Sequence, residues 1–157
     1  MPLSLDLIDL QLLEELQTDA DRPNVELARI VGLSPAATLH RVRRLKQSGI
    51  IRAVAARLDS AAAGFPLQVY VAVTLRQHDE ASHRRFAGAV RALPEVISAD
   101  WVTGETDAML MVVAREVAQL QRVLIRLSTR GGAARVITLL RLEELKPSSP
   151  LPLEVAD

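Results

Sequence analysis

Cysteine is absent from all 157 residues, which excludes disulfides and thiolate metal sites alike. That absence fits a reducing compartment. Aromatic residues are scarce: Trp101, Tyr70, Phe65 and Phe86 are the whole set. A protein that holds single-stranded nucleic acid by stacking bases on rings needs more, so that class is disfavoured. No apolar run approaches the roughly 20 residues of a membrane-spanning helix. The opening Met1-Pro2-Leu3-Ser4-Leu5-Asp6 lacks the basic and apolar stretches of a secretion signal. The expectation is a cytoplasmic chain that touches no membrane. One further absence is local. From residue 27 to 58 there is no acid, against seven bases: Arg29, Arg41, Arg43, Arg44, Lys46, Arg52 and Arg57. The 26 residues before them hold seven acids and one base, Arg22. Formal net charge is zero, so only the local pattern carries information.

What is present in that block reads as a helix–turn–helix. Asp6 can cap a first helix, with Asp9 in a capping-box position and Ile8, Leu12, Leu13 and Leu16 at helical spacing. After a polar connector ended by Pro23, Asn24 can cap a second helix that buries Leu27, Ala28 and Val31. Gly32 supplies the positive φ of a tight turn. Ser34 caps a third helix and Pro35 takes its first position, where a missing N–H costs nothing. Leu39, Val42 and Leu45 are expected on its buried side, with Ala36, His40, Arg43 and Gln47 as an exposed stripe. A positive helix beside a short turn suits the DNA backbone. Ser34, Pro35, Ala36, Thr38, His40 and Arg41 lie near the end that such motifs turn toward base edges, while Arg43, Arg44 and Arg52 suit phosphates. Double-stranded DNA is the expected partner. Residues 50–58 look extended, a wing or tether strand.

Past the linker at 59–64 the period changes. Leu67, Val69, Val71, Val73 and Leu75 alternate with polar or small residues, as a strand does. Residues 79–93 are helical, with Phe86, Val90 and Leu93 on one face. Strands follow at 96–103 and 107–114, joined by Gly104-Glu105-Thr106. The second is so continuously apolar (Met109, Leu110, Met111, Val112, Val113) that burial on both faces is expected. Val117, Leu120, Val123, Leu124 and Leu127 make a further helix, and 135–143 a last strand. The order β-α-β-β-α-β predicts an α+β protein: an N-terminal, winged helix–turn–helix joined to a ferredoxin-like sheet. The divisions are a helix–turn–helix domain at 1–52, tether strand and linker at 53–65, the βαββαβ domain at 66–146 and an irregular tail at 147–157. A sheet with too few helices to hide both faces points to a symmetric dimer.

In this order and spacing, Leu5-Asp6-x-x-Asp9, Val31-Gly32-Leu33-Ser34, Arg41-Val42-Arg43-Arg44-Leu45, Gly49-Ile50-Ile51, Leu58-Asp59 with Gly64, Leu93-Pro94-Glu95-Val96, Val102-Thr103-Gly104-x-x-Asp107 and Thr138 ahead of Leu142-Glu143-Glu144-Leu145-Lys146 resemble the Lrp/AsnC (feast/famine) regulators. The resemblance implies a transcription regulator whose sheet domain forms dimers and then rings of dimers, and which senses an amino acid or related metabolite. It implies effector contacts near Gly104, Glu105, Thr106 and Asp107, and more loosely Thr138. Three features depart from the family pattern: Ala53-Val54 after Arg52, Thr106 where a bulkier residue is common, and Gly131-Gly132-Ala133 ahead of the last strand.

Blander readings stand beside these. Arginines on a helix are often merely solvated. Gly-x-x-Asp is also an ordinary hairpin connection, with the aspartate bonding local backbone. His78 and His83 are five apart and His40 stands alone, so no metal is expected, and no cofactor motif occurs. Siroheme decarboxylases resemble the same architecture but carry histidines and a tyrosine after the strand that here reads Val96-Ile97-Ser98-Ala99-Asp100-Trp101, so an enzyme is disfavoured. An effector-independent, nucleoid-associated DNA binder is the other alternative.

Overall fold

The helical signals give α1 (Leu7–Thr18), α2 (Asn24–Val31) and α3 (Pro35–Gln47) in the computed structural model, which describes residues 5–153. Asp6 accepts the Asp9 N–H at 2.8 Å and Asp9 accepts the Asp6 N–H at 3.3 Å, so both halves of the capping box form. Pro23, not Asn24, occupies the cap position of α2. Asn24 is the first helical residue, and its amide donates instead to the Pro35 carbonyl at 2.8 Å, joining the starts of α2 and α3. Gly32, at φ 68°, lets the Leu33 N–H reach back to the Ala28 carbonyl at 3.0 Å, which closes α2. Ser34 caps α3 by accepting the Ala37 N–H at 3.2 Å.

Leu12, Leu13, Leu27, Val31, Val42 and Leu45 form the core of these helices. Leu39, expected among them, is 38% exposed, and Thr38 is buried in its place. At 100° per residue Thr38, Val42 and Leu45 fall within roughly 60° of arc, and Leu39 lies outside it. Residues 52–59 carry no strand, contrary to the expected wing or tether, because a ladder needs a partner strand and this chain offers none there. The linker is more built than expected. Asp59 accepts the Ala62 N–H at 2.7 Å, and the Phe65 N–H reaches the Ser60 carbonyl at 2.7 Å, winding a compact turn.

The chain divides into two units by its contacts: one runs to Ala56 and resumes at Lys146, the other is Arg57–Leu145. The second holds β1 (Leu67–Leu75), α4 (Glu80–Arg91), β2 (Val96–Trp101), β3 (Ala108–Ala114), α5 (Val117–Thr129) and β4 (Ala133–Leu140). The sheet order is β2-β3-β1-β4 with every neighbour antiparallel, which is the split βαβ arrangement of the ferredoxin-like fold. Val69, Val71 and Val73 of β1 and Leu110 and Val112 of β3 pack with Phe86 of α4 and Val123 and Leu127 of α5. The last strand stops at Leu140 rather than 143, and Leu142 and Leu145 beyond it are exposed.

Helices cover one face only. Alternation puts Met109, Met111, Tyr70, Ala72, Ile137 and Leu139 on the other, where the register pairs Tyr70 with both Met111 and Leu139. Met109 and Met111 are half-buried, not buried on both sides as β3's composition suggested, because a single chain supplies no layer there. Residues 147–153, the described part of the tail, carry no helix or strand and return to the helical unit. There the Leu151 N–H donates to Gln17 Oε1 at 2.7 Å, Gln17 Nε2 donates to the Leu151 carbonyl at 3.3 Å, and Leu153 packs against the helical core.

Candidate nucleic-acid interface and effector loop

Helix α3 presents its N-terminal half to solvent at Ser34, Pro35, Ala36, Ala37 and His40, and Arg43 and, past the helix, Arg52 are exposed as well. Among the described residues Arg43, Lys46 and Arg52 have no acid partner. Thr38 leaves the expected DNA-facing set. It is fully buried and its hydroxyl donates to the Ser34 carbonyl at 3.0 Å, a bond one turn back that fixes the start of the helix.

Arg41 and Arg44 do something that the sequence reading missed. Arg41 donates to Asp6 at 2.6 Å and to Asp9 at 3.0 Å, and Arg44 donates to the other oxygen of Asp9. Asp9 is completely buried, so α1 carries an interior carboxylate held by two guanidiniums of α3. A buried charge is tolerated only when it is paired and hydrogen-bonded, and here both oxygens are. These pairs fix the pose of α3 on α1. The sequence signal was an acid pair at i, i+3 on α1 beside a helix that has no acid of its own. Capping accounted for Asp9 locally and hid its second role.

The hydrogen bond from Arg41 holds the Asp6 carboxyl below the usual carboxylate range, and the Asp9 N–H adds to it. A carboxylate depressed in the folded state stabilises above its unfolded value and loses that contribution as pH falls through its folded one. Asp6→Asn should therefore destabilise fully at neutral pH, with the difference from wild type shrinking below about pH 4. Urea unfolding at both ends of that range measures it; a pH-independent difference would show that Asp6 acts through shape alone. Asp79, the cap of α4, is depressed in the same direction by the Ser82 N–H that it accepts.

In the sheet unit, Gly104, Glu105, Thr106 and Asp107 form the β2–β3 connection, with Gly104 at φ 121°. The loop is pinned to the end of β1. The Asp107 N–H donates to the Val73 carbonyl at 2.9 Å, the Asp107 carboxylate accepts the Leu75 N–H at 2.7 Å, and His78 Nε2 lies 3.1 Å from the same carboxylate. The Asp107 side chain thus already serves the backbone. Glu105 is exposed and Thr106 half-buried. Thr138, opposite Val71 on β4, is exposed and separated from this loop by β1. The structure brings the four loop residues together and leaves Thr138 apart from them. No group of histidine, aspartate or glutamate fit to hold a metal ion occurs among the described residues. None of their helices is long and apolar enough to cross a membrane.

Comparison with known proteins matches both units. Residues 5–52 match a family model described as winged helix-turn-helix DNA-binding, and residues 68–151 one described as the Lrp/AsnC ligand binding domain. A leucine-responsive regulatory protein of Rhizobium meliloti is 37% identical over 143 residues, which are 90% of this chain and 92% of the relative. An HTH-type transcriptional regulator AldR of Mycolicibacterium smegmatis is 35% identical over 148 residues, 94% of this chain and 86% of its own. Among solved structures, a transcriptional regulator of Neisseria meningitidis in complex with L-Met superposes with a TM-score of 0.86 at 34% identity, covering 94% of this chain and 96% of that one.

Proposed function

This chain belongs to the Lrp/AsnC family, and from that premise we propose that it is a sequence-specific, DNA-binding transcription regulator whose activity answers to an amino acid. Charge is the observation that carries the DNA half. The acid-free block puts Arg43, Lys46 and Arg52 on the surface without acid partners among the described residues. Ser34, Pro35, Ala36 and His40 occupy the end of α3 that reads base edges in such motifs. Arg43 and Arg52 take phosphates, and the exposed part of Arg44 adds to them. Arg41 serves by holding α3 in place. The relatives are named as transcriptional regulators, and we assign this chain no reaction. Arg43→Ala should weaken binding to every DNA sequence alike and lower the salt slope by about 0.9, the share of one phosphate contact. Titrations of a selected and a scrambled duplex across salt measure this; an unchanged slope would remove Arg43 from the interface.

The effector half draws on the ligand-binding family model and on the L-Met complex of the Neisseria regulator. We place its contacts at Gly104, Glu105 and Thr106, where dimers of this chain meet; there Asp107 works by shaping the loop, and Thr138, across β1 from it, stays outside the set. An effector changes function only if it binds one assembly better than another, by on the order of 1–3 kcal/mol. Footprints with and without each of the twenty amino acids should shift severalfold for at least one. An unaltered footprint across the panel would leave an effector-independent DNA binder.

A further inference from the structure

A cavity of about 410 Å³ lies among the residue that follows β1, the middle of α4, the end of α5 and the turn before β4. Its lining is Arg76, Arg85, Ser128, Thr129 and Gly132, with neither an acid nor an apolar residue among them. Both guanidiniums are in no ion pair among the described residues. The acids at the starts of the two helices are engaged elsewhere: Glu80 pairs with Arg84 and Glu116 with Arg122. Asp79, which feels the charge of Arg85, accepts the Ser82 N–H at 2.7 Å. Arg76 donates through Nε to the Ala133 carbonyl at 3.4 Å, and its Nη groups are left for a ligand. Gly132, at φ 77°, lets Arg85 lie against the turn, since a Cβ there would stand 2.5 Å from Nη2 and turn the guanidinium away. The surrounding chain adds no opposing charge, because residues 117–142 hold five arginines and no acid. The C-terminal end of α5 contributes about half a negative charge, which two full positive charges outweigh.

Two guanidiniums across one hollow match a ligand with two negative charges on one centre. A carboxylate brings a single charge, and so does each phosphodiester of DNA. A phosphate monoester brings close to two at neutral pH, with three oxygens for the two planar forks. We propose that this cavity binds the terminal phosphoryl group of a small phosphorylated molecule, held between Arg76 and Arg85. The Ser128 and Thr129 hydroxyls donate to the Leu124 and Ile125 carbonyls at 3.2 and 2.8 Å, and either can rotate to donate to a ligand oxygen instead. The site also bears on the Gly104–Asp107 loop. The Leu75 N–H donates to Asp107 and His78 lies 3.1 Å from the same carboxylate, with Arg76 between the two in sequence. An anion that fixes Arg76 therefore stiffens the segment from which that loop hangs. Neither the ligand nor its site depends on the reading of the chain as amino-acid-responsive.

The test titrates methyl phosphate and dimethyl phosphate into the full chain by calorimetry, at neutral pH and constant ionic strength, for wild type, Arg76→Gln, Arg85→Gln and Arg91→Gln. Wild type should bind the monoester about tenfold or more tightly than the diester, which differs from it by one methyl group and one charge. Arg76→Gln and Arg85→Gln should each weaken the monoester about tenfold, the share of one charge-assisted bond. Arg91, an exposed arginine of α4 outside the cavity, serves as the control, and its variant should bind as wild type does. The same four proteins are titrated with duplex DNA across salt. A DNA salt slope lowered by about 0.9 in Arg76→Gln or Arg85→Gln, without monoester binding, overturns the proposal and gives these arginines to the DNA backbone. Equal losses in all three variants overturn it as well, since the attraction is then the diffuse charge of the helices. So does equal affinity for monoester and diester in wild type.

Discussion

Alanine at both Arg41 and Arg44 should destabilise the helical unit by about 3–5 kcal/mol, because it strands the carboxylate of Asp9 in the interior. Only the Asp6 N–H, at 3.3 Å, would still reach it. Arg41→Ala alone leaves Arg44 in place and should cost about 1–3 kcal/mol. Adding Asp9→Leu to the double variant removes the stranded charge and should recover much of the loss, since an apolar group in place of a buried ion pair is often neutral. Chemical denaturation of the full chain, followed by helix ellipticity, gives all three values. A double variant as stable as wild type would mean that the arginines turn outward in solution. Arg41 would then return to the base-reading set, and its loss would relax specificity at one position.

If two copies pair through the uncovered sheet face, as we propose, Met111→Asp should leave monomers at micromolar concentration. Met111 sits on the uncovered sheet face beside Tyr70, which in turn neighbours Leu139, and the last two are 39% and 50% exposed. Two copies that pair through this face hide it about a two-fold axis. A carboxylate placed there enters an apolar contact once from each copy, at several kcal/mol per ion, so association weakens by about a thousandfold or more. DNA affinity should fall as well, because the two recognition helices no longer reach their half-sites as a linked pair. Light scattering and a footprint on one palindromic site report both effects. A variant that stays dimeric would move the interface elsewhere.

Periodicity and punctuation made most of the fold legible. Asp6 with Asp9, Gly32, and Ser34 with Pro35 mark helix ends whose chemistry is local, and each forms as its residue type dictates. The alternation from Leu67 to Leu75 fixes which face of β1 is inside. Errors arose where a partner distant in sequence decides. Asn24 bonds Pro35 instead of capping its own helix, because α3 folds back over it. Residues 52–59 have strand composition but no neighbour to pair with. Leu39 and Thr38 differ by one step around a helix, and only the packing of α1 tells which is inside. Of the site, the basic block was legible as charge. The division of its arginines between DNA-facing and α1-facing was not, since Asp9 lies 32 residues from Arg41.

The helical unit draws on both ends of the chain, and that arrangement has a consequence in time. Leu13, Leu16 and Ile51 are synthesised early, yet Leu151 and Leu153, which line the same hollow, are synthesised only after the whole sheet unit has followed. During translation the nascent helices hold that apolar surface open until Leu151 and Leu153 leave the ribosome. A ribosome stalled after β4 would display helices able to form but not to close.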